Sequence, residues 1–170
     1  MLRGNKVGWW GEPVMGMGVV VGDLMAAGDG SPWSDKAESA ATRKRRGEVA
    51  ETAFLVKAVS LGFRVAKPWG DSERYDFLVD AGEGLRRVQV KSSYRLGDDG
   101  GYSFRLHGHS LEVYAGAEID ALVAYVVPEG AWYVFPVKVF EKRRSVKLYP
   151  GSRRKRSKFE KYREAWWVLG

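Results

Sequence analysis

Asp76, Gln89 and Lys91 place a carboxylate, an amide and an ammonium within one short stretch of the chain. They fall in the stretch Tyr75 to Lys91, which reads as a β-hairpin. Tyr75 to Asp80 and Leu85 to Lys91 are β-rich runs of partly alternating polarity, separated by Gly and Glu that favour a tight reversal. Asp76 opens the first strand beside apolar Phe77 to Val79, while Gln89 and Lys91, two apart, share a face of the second. A carboxylate on one strand can therefore meet an amide and an ammonium on its neighbour. Such a corner suits binding a cation and positioning a nucleophile.

The element that must bring a second carboxylate is the segment Gly47 to Gly62. Ala50, Phe54, Val56, Ala58 and Leu61 lie broadly at helical spacing, Glu48 and Glu51 occupy the first turn, and Gly62 supplies a stop. Both glutamates could merely complement the helix dipole. Position alone favours that plainer role, but Glu51, three residues from Phe54, can border the inward face, and its pairing with Asp76 and Lys91 makes it preferred over Glu48 as a site residue.

The pattern Asp, a spacer of about a dozen residues, then (Glu/Asp/Gln)-x-Lys on the next strand resembles the PD-(D/E)xK nuclease superfamily. Gly47-Glu48-x-x-Glu51, Gly62-Phe63-x-Val65, Pro68, Tyr75-Asp76, Arg87-Val88-Gln89-Val90-Lys91, Ile119-Asp120 and Val134-Phe135-Pro136, in that order, are similar to its group I intron-associated branch of homing endonucleases. The resemblance covers roughly Lys44 to the C-terminus. It implies an α/β, restriction-endonuclease-like core with a mixed central β-sheet flanked by helices. It also implies Mg²⁺-dependent hydrolysis of DNA phosphodiesters, with Mn²⁺ able to substitute. Glu51, Asp76, Gln89 and the Val90 carbonyl would offer oxygens to a hard cation, and Lys91 would position or help deprotonate the attacking water. Gln89 stands where many members carry an acid, so it brings only a neutral oxygen. A Holliday-junction-resolvase-like or repair nuclease, a catalytically weak DNA-binding module and a purely structural protein are the competing readings. A homo-oligomer is expected because one such site cuts one strand.

Composition agrees with a polyanion partner. The formal charge of +7 is uneven: Lys138 to Glu164 holds 12 Lys/Arg against 3 Asp/Glu. Arg45, Arg46, Arg95, Arg105, Arg153, Arg154, Lys155, Arg156 and Lys158 are the candidate phosphate contacts for duplex or branched DNA; a solvated face is the plainer reading of such a run. The absence of cysteine excludes disulfides and thiolate metal sites and fits a cytoplasmic protein. His107 and His109, two apart, invite a zinc reading, but without further spaced ligands loop histidines are the simpler one.

Three regions are expected. Residues 1–41, with eight glycines and all four methionines, read as a disordered extension. The apolar run Val14 to Ala27 within it is broken by Gly16, Gly18, Gly22 and Asp23, too short for a bilayer core of about 30 Å and too fragmented for a signal peptide, so no membrane association is expected. Residues 42–150 form the nuclease core. After the helix come a strand at Phe63 to Lys67 and a loop in which Asp71 could assist a metal, with shaping a turn the preferred reading. The hairpin, Tyr102 to Leu106, Ile119 to Val127 and Ala131 to Val137 follow as strands, then a short helix over Val137 to Arg144 and a strand over Val146 to Tyr149. Asp120 is read as structural. In residues 151–170, Phe159, Tyr162 and Trp166 at i, i+3 and i+7 predict a basic-aromatic helix whose apolar face docks on the core or on a partner subunit.

Overall fold

The computed structural model describes residues 39–70, 72–107, 116–151 and 158–170. The extension (its last three residues excepted), Asp71, His109 and the run Arg153, Arg154, Lys155 and Arg156 lie outside them. Helix α1 (Ala40–Ser60) begins earlier than its apolar pattern suggests. Ser39 caps it by accepting the Thr42 backbone N–H at 3.2 Å, so Arg43 to Arg46 become its first turns. Its buried residues are Ala50, Ala53, Phe54 and Ala58, one stripe at 3.6-residue spacing. Val56, expected on that stripe, falls out of phase with it, and Leu61, though in phase, is the C-cap just past the last helical residue; they are exposed at 54% and 41%.

Among the described residues seven strands follow: β1 (Arg64–Ala66), β2 (Phe77–Asp80), β3 (Leu85–Ser93), β4 (Tyr102–Arg105), β5 (Ala121–Val126), β6 (Ala131–Pro136) and β7 (Ser145–Leu148). The main sheet is mixed, in the order β1-β2-β3-β5-β6, with β3 and β5 parallel and the other pairs antiparallel. In the hairpin β2–β3, Gly82 and Gly84 adopt φ of 106° and 112°, open only to glycine without strain, and the Asp80 carboxylate accepts the Gly82 N–H.

Every residue of β5 is buried because both faces of the sheet are covered. Ala121, Val123 and Tyr125 point to the core beneath α1, whereas Leu122, Ala124 and Val126 point to a second core beneath the two-stranded sheet β4–β7. On β6, Trp132 and Val134 join the first core, and Ala131, Tyr133 and Phe135 the second. The molecule is thus α/β, with three layers around one central sheet. Among the described residues no helix is long and apolar enough to cross a membrane.

Two expected helices differ. Val137 to Arg144 contains a 3-10 turn at Val137–Val139 in place of an α-helix. The described part of the tail holds 3-10 turns at Glu160–Tyr162 and Trp166–Val168, separated by extended Arg163 and by Glu164 at φ 48°. The reason is the open edge of β6: Arg163 bridges Tyr133, and the Glu164 N–H donates to the Trp132 carbonyl at 2.9 Å. Pairing with a strand edge outweighs the helical spacing of the aromatics and covers an edge open to further pairing. Phe159 and Tyr162 consequently pack on Phe135, while Trp166 crosses to Phe54 and Trp132.

Candidate active site

The antiparallel register of β2 and β3 sets Phe77 opposite Val88, so Asp76, just before β2, lies beside the middle of β3. Its backbone N–H donates to the Val88 carbonyl at 2.9 Å, extending the ladder by one residue. Its Oδ2 accepts from the Gln89 side-chain amide at 2.5 Å and from the Val90 N–H at 2.7 Å. The carboxyl is pushed up to about 6, first by desolvation, with the Val90 N–H opposing; Glu51 raises it further, while Lys91 and Gln89 lower it.

Glu51 comes from the middle of α1, three residues before buried Phe54, and Glu48 one turn earlier lies exposed. Glu51 Oε2 is 2.7 Å from the ammonium of Lys67, just beyond the end of β1. Lys91 sits half-buried on β3 across from Ala124 of β5. The structure therefore brings Glu51, Asp76, Gln89, Val90 and Lys91 to one end of β2 and the facing turn of α1.

Among the described residues no three His, Cys, Asp or Glu side chains converge as a metal-holding cluster, and His107 joins none. Two carboxylates, a neutral amide and a backbone carbonyl are what the corner offers. That donor set is all oxygen and fits a hard dication better than zinc. Asp76 is the test of fit: its charge is desolvated and faces a second carboxylate, an arrangement that a bound dication would relieve. Gln89 presents Nε2 toward Asp76 Oδ2 and, at 3.3 Å, toward the Val90 carbonyl, so its amide must turn over before Oε1 can serve a cation.

The basic candidates are spread over several elements. Arg45 is exposed on α1, and Arg46 stacks on Tyr94 with its guanidinium carbon 4.6 Å from the ring centre. Arg95 follows β3, Arg105 is exposed on β4 and Lys158 is exposed in the tail. Asp120 accepts from the Arg87 guanidinium at 2.9 and 3.0 Å and from the Arg87 N–H at 2.8 Å, joining the starts of β3 and β5; its place is structural. Lys67 escaped the reading of the sequence. A lysine between a short strand and Pro68 looks solvated, and only the β1–β2 register reveals it: Ala66 opposite Leu78 sets the next residue, Lys67, opposite Phe77.

A mixed sheet with a central parallel pair, a helix on one face and acidic and basic residues gathered at a strand start defines a restriction-endonuclease-like nuclease fold. The chain belongs to the PD-(D/E)XK endonuclease family, which it matches over residues 41–169. It is similar in structure to the bacterial homing endonuclease I-Ssp6803I, with a TM-score of 0.65 and 33% identity, covering 74% of this chain and 91% of that one. Hjc, a Holliday junction resolvase from the archaeal hyperthermophile Archaeoglobus fulgidus, aligns with a TM-score of 0.45 and 20% identity over 62% of this chain and 84% of its own. Comparison with curated proteins returned no match.

Proposed function

We propose that the protein is a divalent-cation-dependent DNA endonuclease of the homing type, working in the cytoplasm as a homo-oligomer. The observation that carries this reading is the desolvated Asp76 carboxylate, held by Val90 and Gln89 and set between Glu51 and Lys91. Glu51 and Asp76 would hold Mg²⁺ or Mn²⁺, with the Val90 carbonyl and a turned Gln89 amide adding neutral oxygens. The cation would supply charge neutralisation at the phosphate and acidify water. Lys91, on the strand that also carries Gln89, orients the attacking water and offers its positive charge to the phosphoryl oxygens as negative charge builds there. Val90 N–H and Gln89 keep Asp76 aimed during this process. A single centre cuts one strand, so scission of both strands calls for two copies. Exposed Arg45, Arg105 and Lys158, with the basic run before Lys158, would contact phosphates.

Two substrates separate the subtypes. With Mg²⁺, cleavage should favour a long duplex carrying one particular sequence, and EDTA should stop it. Preference for a four-way junction of arbitrary sequence would instead make the protein a junction resolvase. Because Gln89 replaces an acid and aims its nitrogen at Asp76, a binding module without cutting is the second reading. Gel shifts without cleavage of either substrate would favour it.

A further inference from the structure

Lys67 lies outside the residues through which the family resemblance was read, yet its ammonium is in ion-pair contact with Glu51, the helix-borne carboxylate of the site. The pair is formed at 2.7 Å, with the Glu51 side chain 24% exposed and that of Lys67 61% exposed. The ammonium also stands 5.8 Å from the ring centre of Phe77, the residue next to Asp76. Pro68 follows immediately and fixes the backbone direction just past the strand. Lys67 is therefore anchored on both sides of the acidic pair: by the sheet register toward Asp76 and by the ion pair toward Glu51.

We propose that Lys67 is a positioning residue that acts as the resident counter-ion of Glu51 and competes with a divalent cation for that carboxylate. This rests on the metal-centre reading above. A carboxylate oxygen that accepts an ammonium at 2.7 Å cannot at the same time turn that lone pair to a metal ion, and an ammonium left in place repels a dication. The pair keeps Glu51 aimed at the site in the metal-free protein, in front of an Asp76 whose charge Glu51 disfavours. Lys67 thus preorganises the helix side of the site and lowers its affinity for metal. Its own exposure keeps the competition modest. Loss of the exposed pair, together with loss of the ammonium's repulsion of the dication, should raise metal affinity by about three- to tenfold.

The test is binding of Mn²⁺ followed by electron paramagnetic resonance, without DNA and without turnover, in the full chain. Lys67→Met keeps an unbranched side chain against Phe77 and removes the charge. Lys67→Gln is the second variant, and circular dichroism melting verifies that both are folded. Lys147→Met, which breaks the pair with Asp99 on the second sheet, makes the same change in net charge away from the site. The proposal requires Lys67→Met and Lys67→Gln to bind Mn²⁺ about three- to tenfold more tightly than the parent, with Lys147→Met unchanged. Unchanged or weaker binding in the Lys67 variants would overturn it while leaving the metal centre standing. So would an equal gain in Lys147→Met, which would reduce the effect to net charge. Absence of Mn²⁺ binding in the parent and in every variant would remove the metal centre itself and the role of Lys67 with it.

Discussion

Asp76 occupies a place that disfavours its own charge, and the neighbouring residues decide what that does. Burial and Glu51 push its carboxyl up, while the Val90 N–H, Lys91 and Gln89 pull the other way and leave it at about 6. Without metal, the ionised carboxylate is a destabilising element at neutral pH. Asp76→Asn keeps an oxygen for the Val90 and Gln89 donors and removes the charge. The variant should be more stable than the parent by about 1–3 kcal/mol in metal-free urea unfolding at pH 8. Metal addition should then stabilise the parent but not the variant. A parent and variant of equal metal-free stability would mean that Asp76 bears no desolvation cost. Gln89→Glu restores a third carboxylate beside Asp76 and should tighten Mn²⁺ binding by about tenfold in the same resonance titration; weaker binding would place the amide outside the coordination sphere. Asp76, Gln89 and Lys91 were legible in the sequence because strand alternation and a short turn fix which side chains meet. Lys67 was not, because its approach to Glu51 depends on how a three-residue edge strand pairs and where α1 crosses it.

At the scale of elements, two junctions hold the site in place. The Arg87–Asp120 network ties the start of β3 to the start of β5. The hydrogen bond from Arg87 is the first cause holding the Asp120 carboxyl below the usual carboxylate range. A depressed carboxyl stabilises the folded protein fully above its unfolded pKa of about 3.9, and this contribution is lost as pH falls through the lower folded value. Asp120→Asn should therefore melt below the parent at pH 7, with the difference shrinking as the pH is taken from about 5 to about 2. A difference independent of pH would assign the loss to packing. The second junction is the tail. Trp166 closes the core against Phe54 and Trp132, and the Glu164 carboxylate accepts from the Trp166 indole at 2.7 Å and lies 3.2 Å from the Lys57 ammonium. Trp166→Ala should cost about 3–5 kcal/mol in chemical denaturation, and a cost under about 1 kcal/mol would show that the tail is not part of the core. The strands of the main sheet could be read locally, since their apolar runs and turns are contiguous. The β4–β7 sheet could not, because its partners are some forty residues apart and neither strand marks the other. The tail misled for a related reason: helical spacing of Phe159, Tyr162 and Trp166 is a local signal, and the exposed edge of β6 that overrides it is a property of the fold.

For the whole molecule, the +7 charge and its concentration toward the C-terminus would govern how the proposed DNA substrate is met. Affinity for DNA should fall steeply and log-linearly with salt, and each phosphate-contacting residue among Arg45, Arg105 and Lys158 should, when changed to alanine, flatten that slope by about one unit. A slope unaltered by all three would place the DNA on another surface. Under the proposed function the cluster of Glu51, Asp76 and Lys91 is a nuclease centre in which Lys91 serves the chemical step. Its most direct test is the initial rate of supercoiled-plasmid nicking in Mg²⁺ by the parent and by Lys91→Ala, with DNA affinity measured alongside in Ca²⁺. The rate should be at least about a hundredfold lower in the variant, with affinity within about threefold of the parent. Cleavage by Lys91→Ala at the parent's rate would remove Lys91 from the chemical step and with it the nuclease centre as drawn.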